Sequence, residues 1–334
     1  MTSQHAESKV HSGPAITVVV VAICSIPQLR RSLKALEVQE IADSYEVIVA
    51  ADSRFAGLSV LESEFPDVTF LSKKGCDTPI ELTTLGLDKA RGRRIVLTED
   101  SCVARADWLA TISGTPWEGR GAVGGVVEAT PGISAAMWAF CYVDFFRYMN
   151  PVADGVAPTL SVCNVAYHMS HLQAVRDLWR DGFHETVING ALSERFGPLW
   201  LSSRSEVQVR RDVTFGDAVY ERYAFGRLFG ATRIAHDGLG RRLYYAAVSP
   251  ALPFLLMARM SGKARQDPAL MRQFLRALPA ILAMVAAWSW GEWLGYVTRR
   301  RPARITTAPE IVRMGERDAS PATPALSSRA ERAK

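Results

Sequence analysis

The chain is predicted to be an α/β protein: a mixed sheet flanked by helices, with hydrophobic helices added at the C-terminal end. Three observations predict this. Short β-branched runs at 16–23, 45–51, 68–71 and 95–97 alternate with helical apolar spacings such as Leu29, Leu33 and Leu36. The connections between them have the lengths of right-handed parallel crossovers. Two long apolar runs, 243–257 and 277–297, occur only in the C-terminal third.

With 334 residues, 48% hydrophobic and 22% charged, the chain can bury one large core or two modest ones. A net charge of +5, mostly C-terminal, suits a local basic surface and argues against a nucleic-acid partner. Cys24, Cys76, Cys102, Cys141 and Cys163 are scattered without a C-x-x-C, as expected of free, mostly buried thiols in a reducing compartment. Residues 1–14 are expected to be a flexible polar lead-in. The valine-rich run 16–23 follows a nearly neutral stretch, so a strand explains it better than a secretory signal.

Taken in order, strand 16–23 is followed by a turn through Ser25, Ile26 and Pro27 into the Leu29 helix. Strand 45–51 ends at Asp52, Ser53 and Arg54. After strand 68–71, Leu82, Leu85, Leu87 and Ala90 form a helical stripe that Gly92 stops. Strand 95–97 then runs into Glu99, Asp100 and Ser101. Ligands of open α/β sheets bind beyond the carboxyl ends of the strands, so Asp52 and the Glu99–Asp100 pair fall on a candidate binding edge. Adjacent acids repel unless a cation neutralises them. A metal–phosphate group is one candidate, and a solvated turn capping the next helix is the other. No G-x-G-x-x-G follows the first strand, and no Walker A loop or G-x-S-x-G elbow is present.

The segments ITVVVVAICS, LRRSLKALEVQ, YEVIVAADS and GLDKARGRRIVLTEDSCVARADWL resemble the nucleotide-sugar half of family 2 glycosyltransferases, which have the GT-A fold. In that family the second strand usually ends in two aspartates. Asp52 matches the second, and Ala51 stands at the first. The family's D-x-D motif falls on Glu99, Asp100 and Ser101, with serine at the third position. The resemblance implies that Asp52 reads the donor base and that Glu99, Asp100 and Ser101 meet ribose and diphosphate. It also implies a divalent cation, Mg2+ or Mn2+, on Glu99 and Asp100.

Further along, 122–128 reads as a strand in which Gly124 and Gly125 permit close backbone approach. Segment 131–149 suits a core helix or a lipid-touching one. Residues 160–171 resemble the family's strand and turn near the acceptor, with Asn164 on the acceptor side. His168, His171 and His184 lack the spacing of a zinc site. Gly182, Phe183, His184 and Glu185 resemble the family's general-base segment, which implies Glu185 as the base. Inverting transfer needs one carboxylate at the acceptor hydroxyl; the other reading of Glu185 is a helix N-terminal charge on 186–196. Segment 207–211 reads as a strand ending in Arg210 and Arg211, where relatives often have histidine. Residues 220–227 resemble an arginine-bearing helix near the diphosphate, with Arg222 and Arg227 as candidates or as exposed helix charges.

The run 277–297 approaches the ~20 residues that span a bilayer, while 243–257 is shorter and holds Pro250 and Pro253. Arg241, Arg242, Arg259, Lys263, Arg265 and Arg272 are among the basic residues around them, and basic loops resist translocation. Segments embedded from the cytoplasmic face are therefore expected, with a two-span hairpin or two soluble core helices as alternatives. The expected division is a lead at 1–14, a GT-A domain at 15–235, membrane-associated helices at 236–304 and a disordered tail at 305–334. The function implied is inverting transfer of a hexosyl or related sugar from a nucleotide-diphosphate donor to a hydroxyl of a lipid-linked or envelope-glycan acceptor. The rival is a non-catalytic scaffold of the same fold in a membrane assembly, which Ser101 and the single acid at Glu185 make credible.

Overall fold

A computed structural model of the chain describes residues 13–76, 78–233 and 238–302. The tail expected at 305–334, and all but the end of the lead at 1–14, lie outside the described residues. The β-branched runs form the middle of a mixed sheet. Strands β1 (Ile16–Ala22), β2 (Tyr45–Asp52), β3 (Val68–Lys73) and β4 (Arg94–Glu99) are parallel and lie in the order β3-β2-β1-β4. Every residue of β1 is buried, which is why it reads as an unbroken apolar run instead of an alternating one. The crossover helices are α1 (Ile26–Glu37), α2 (Leu58–Glu64) and α3 (Pro79–Leu87). Leu29, Leu33 and Leu36 of α1 seat in the main core. A capping box starts α3: the Thr78 hydroxyl accepts from the Glu81 amide, and the Glu81 carboxylate accepts from the Thr78 amide.

Beyond β4 the sheet continues as β8-β6-β9-β5, a nine-stranded sheet among the described residues once β7 is added beside β9. These strands are β5 (Cys102–Ala104), β6 (Ala122–Ala129), β7 (Gly155–Val156), β8 (Val165–His168) and β9 (Leu199–Val209). Of the strand expected at 207–211, residues 207–209 are the last part of β9, which begins eight residues earlier and runs through a polar Ser202–Ser205 stretch, while Arg210 and Arg211 follow its end. There the register with β6 jumps from Gly125–Ser202 to Val126–Glu206. Asn164 spans the gap, donating to Val126 O at 2.9 Å and Ser205 O at 3.0 Å. A Cβ on Gly125 would lie 2.5 Å from that amide nitrogen, so the bulge needs glycine.

On this sheet sit α4 (Trp108–Gly114), α5 (Ala135–Phe145), α6 (Met169–Ala174) and α7 (Glu185–Phe196). Then come α8 (Phe215–Arg233), α9 (Leu239–Val248), α10 (Leu252–Ala264) and α11 (Pro268–Thr298). The C-terminal helices are not a detached appendage. A second core joins Trp138, Phe140 and Tyr142 of α5 to Met260 of α10 and to Phe274 and Ile281 of α11. Helices α8 and α11 touch backbone to backbone through Gly226, Gly230, Gly291 and Gly295. By length and composition, Leu239–Ala264 and Pro268–Thr298 could each cross a membrane. Their outer side leaves Leu243, Tyr244, Phe254, Leu275, Leu282 and Trp290 exposed.

At Gly291 a Cβ would lie 2.1 Å from Tyr223 O, so Gly291→Ala must push α8 and α11 apart. It should destabilise the protein by about 1–3 kcal/mol, read as a lower urea midpoint. Gly262→Ala, with nothing within 4 Å of its Cβ, should be neutral or stabilising by about 0.5–1 kcal/mol.

Candidate active site

The strand order reverses between β1 and β4, because β2 and β3 lie on one side of β1 and β4 on the other. Such a switch point opens a crevice at the carboxyl ends of the two strands. Asp100, one residue past β4, closes the bottom of this crevice. Its Oδ2 accepts from the Ile23 amide at 3.1 Å and the Cys24 amide at 2.8 Å, while its own amide donates to Val21 O at 3.0 Å. Its Oδ1 is buried without a hydrogen-bond partner.

Beside Asp100, which is not itself in the lining, lies a cavity of about 970 Å³. Glu99 lines it from β4 and Glu185 from the first turn of α7, with Val21, Leu97 and Phe183 between them. Two acids 86 positions apart in sequence thus face one space. Glu185 makes no cap, and its Oε1 is buried without a partner. Burial first, and the nearby Glu99 carboxylate second, raise its pKa to about 8. Burial likewise lifts Glu99 to about 7 despite the opposing pull of Arg211, with Asp100 adding to the rise. Asp100 is lifted to about 6 by burial, held back by its bonds from Cys24 and by Arg211.

Arg211 reaches this acid pair through strand pairing. Cys102–Ala104 pairs antiparallel with the end of β9, and the Arg210 amide donates to Ser101 O at 3.0 Å, which carries Arg211 up beside the acids. Its guanidinium forks onto Glu221 of α8 at 2.9 and 3.2 Å. Burial opposes its charge, but Cys24, Glu221, Glu99 and Asp100 together outweigh burial and raise its pKa. Next to it, Arg222 pairs with Asp144 of α5, and both guanidinium groups lie against Phe140, at 5.0 and 4.7 Å from the ring centre. Glu99, Asp100, Asp144 and Glu221 therefore gather around Arg211 and Arg222, most of them out of contact with bulk water. The signals in the sequence are slight: cations at a strand end, and Asp144 as an acid inside an otherwise apolar helix.

The other residues singled out by sequence are placed as follows. Asp52 ends β2 on the far side of β1 from Glu99, about 10 Å away at backbone level by strand spacing. It is outside the cavity lining. Its carboxylate is taken by the Arg54 amide and guanidinium at 2.8 Å and by the Gly75 amide at 3.1 Å. Burial alone would raise its pKa, but those bonds win and lower it. Ser101 is buried, its hydroxyl 3.9 Å from the Cys102 sulfur. Asn164 also accepts from Trp108 Nε1 at 2.9 Å and Ser205 Oγ at 3.2 Å, so its whole amide is spent within the bulge. Arg222 is held by Asp144 below the site, and Arg227 donates to Arg300 O at 3.0 Å and Tyr223 OH at 2.9 Å. In their place Arg233 and Arg301 line the cavity.

Among the described residues, no cluster of three His, Cys, Asp or Glu side chains forms a cage for a metal ion. Mg2+-type sites need none, since one or two carboxylates plus substrate phosphates suffice. Glu99 in the cavity and the unpartnered Asp100 Oδ1 fit that donor set, and carboxylates that hold protons this tightly are only partly neutralised by Arg211.

No protein-family model matches the chain, and no curated protein matches it in sequence. Solved structures that resemble it include a mannosyltransferase, PcManGT from Pyrobaculum calidifontis, in complex with GDP-Man and Mn2+. The two are 14% identical, and the likeness covers 82% of this chain and 87% of that one at a TM-score of 0.49. S. aureus TarS is 11% identical over 81% of this chain and 55% of its own, at 0.44. TarS 1–349 in complex with UDP-GlcNAc is 12% identical over 83% and 92%, at 0.45. At these identities and scores nothing about activity follows from them.

A carboxyl whose folded pKa is raised from 4.5 to about 8 stabilises the folded state while it stays neutral. The unfolded chain sheds that proton first, so the contribution is full below pH 4.5 and is lost as pH rises through 8. In chelator-treated protein, Glu185→Gln should therefore melt close to wild type at pH 4.5 and progressively above it up to pH 8, as thermal midpoints against pH would show.

Proposed function

We propose that this chain is a glycosyltransferase that moves a sugar from a nucleotide-diphosphate donor to an acceptor hydroxyl with inversion. One observation carries the reading: Glu99 and Glu185 meet in a single cavity at the switch point of the sheet, and the base candidate has an unpartnered oxygen. Glu185 in its ionised form, which a pKa near 8 makes increasingly available as pH rises toward 8, takes the acceptor proton as the acceptor oxygen bonds to the anomeric carbon. The bond from that carbon to the diphosphate breaks on the opposite face, and the nucleotide diphosphate leaves. Glu99 and Asp100 would hold a divalent cation, which offsets charge on the departing diphosphate. Arg211 and Arg222 act from below as fixed positive charge that keeps the acid floor from repelling the donor. Asp52 would meet the donor base once Arg54 swings away.

We assign the cytoplasmic face of a membrane as the place of action. The exposed side chains of α9 to α11, with Phe254 78% exposed, supply apolar contact, and the neighbouring arginines supply attraction to anionic headgroups. The engagement of Asp52 by Arg54 and Gly75 favours a second reading, a non-catalytic scaffold of the same fold.

A thermal-shift panel of UDP-, GDP- and dTDP-sugars with Mn2+ separates the two. One donor family should raise the midpoint, since ligand at 100 times its Kd adds about 2.7 kcal/mol. Glu185→Gln should keep that rise while donor turnover falls by about 10²-fold or more. A panel without any rise would leave the scaffold standing. Placement at the membrane is checked by flotation with anionic vesicles, where the double change Phe254→Ser and Trp290→Ser should cut the bound fraction several-fold.

A further inference from the structure

Resting on the transferase reading, we infer that the acceptor is an anionic lipid bearing a phosphodiester and a free headgroup hydroxyl, with its phosphate held between Arg233 and Arg301. The chemistry of the cavity lining points to it. One part of the wall carries Glu185, its buried Oε1 without a partner. On another part of the wall, the lining residues from α8 and from the chain after α11 are themselves exposed: Arg233, Arg301 and Phe229 at 41%. A molecule seated here meets apolar surface and two cations at the rim, and a carboxylate within. That sequence matches a lipid whose chains remain outside, whose phosphate sits at the rim and whose hydroxyl reaches inward. A neutral glycan would leave the exposed Arg301 guanidinium without an anion from the ligand and Arg233 with only the indirect charge of Glu292, reached through Tyr296 OH.

Both arginines are set in place by the helices that carry the exposed apolar face. Arg233, the last residue of α8, lies 4.3 Å from the Tyr245 ring of α9 and donates to Tyr296 OH of α11 at 3.4 Å. Arg301 arrives by a reversal of the chain. Arg299 has φ 57°, the left-handed region that ends α11, and the Arg227 guanidinium then pins Arg300 O at 3.0 Å. The next residue is thereby turned to the cavity. Arg227 is thus a positioning residue for Arg301. The rim and the apolar face belong to one packed unit, so a lipid can occupy the cavity without leaving the bilayer surface.

Short-chain lipids test this in the full-length protein. Dihexanoyl phosphatidylglycerol is titrated by thermal shift against dihexanoylglycerol, which lacks the phosphate, and against glycerol 3-phosphate, which lacks the chains. Wild type should half-saturate with the phosphatidylglycerol at a concentration at least tenfold lower than with either. Arg233→Gln with Arg301→Gln should abolish the preference, and the double lysine variant should restore most of it; unliganded melting midpoints report whether the variants fold. Equal affinity for the neutral lipid, equal affinity for glycerol 3-phosphate, or a preference that survives the glutamine pair would each overturn the assignment. The nucleotide-sugar shift of wild type is read in the same preparation. If it is present while the lipid preference is missing, the acceptor assignment fails alone; if it is missing, the transferase reading fails.

Discussion

The architecture turns on one carboxylate. Asp100 accepts from the Ile23 and Cys24 amides and so ties the end of β1 to the end of β4 where the sheet would otherwise split open. Past the last ladder bond of a parallel pair, the backbone N–H groups have no partner, and a buried one costs about 1–3 kcal/mol. An acid at this position satisfies two of them at once. Glu99, the last residue of β4, lines the cavity directly beside this tie.

Burying an acid there has an electrostatic consequence that shapes the rest of the molecule. Asp100 and Glu99 both hold protons more tightly than free carboxylates, so the site carries an unmet demand for positive charge. Arg211 meets part of it. Buried guanidinium groups are stable only when locked in turn, and Glu221 locks this one. The partner comes from α8, whose next residue, Arg222, is fastened to Asp144 of α5. A chain of ion pairs thus runs from the acid floor into the second core.

Helix α8 consequently belongs to two systems. One face supplies Glu221 and Arg222 to the charged cluster, and another presents Gly226 and Gly230 to the glycines of α11. Where backbones touch at van der Waals distance, one helix cannot slide without the other. The charged cluster and the glycine-packed helix pair are therefore joined through α8.

Much of the fold was legible in the chain itself. The valine and leucine spacings of β1, α1 and β4 repeat the periods of a buried strand and a one-faced helix, and local geometry is all those periods require. Asp52 and Glu99 were readable as candidates because strand ends are local features, and Glu185 because 182–185 resembles a general-base segment. The two- and three-residue strands β7 and β5 were not, since too few side chains are involved to show a period. The role of Asn164 was hidden too, because a bulge is a mismatch between two strands and neither carries it alone. Arg211 became part of the site only through the pairing of Cys102–Ala104 with a strand some hundred residues later, and Arg301 only through the turn at Arg299. Periodicity and local chemistry determine which elements form and which side chains are chemically able. Which of them share a dielectric, a counter-charge and a cavity is decided by tertiary packing, because Coulombic interaction and burial depend on distances through space that sequence separation does not encode.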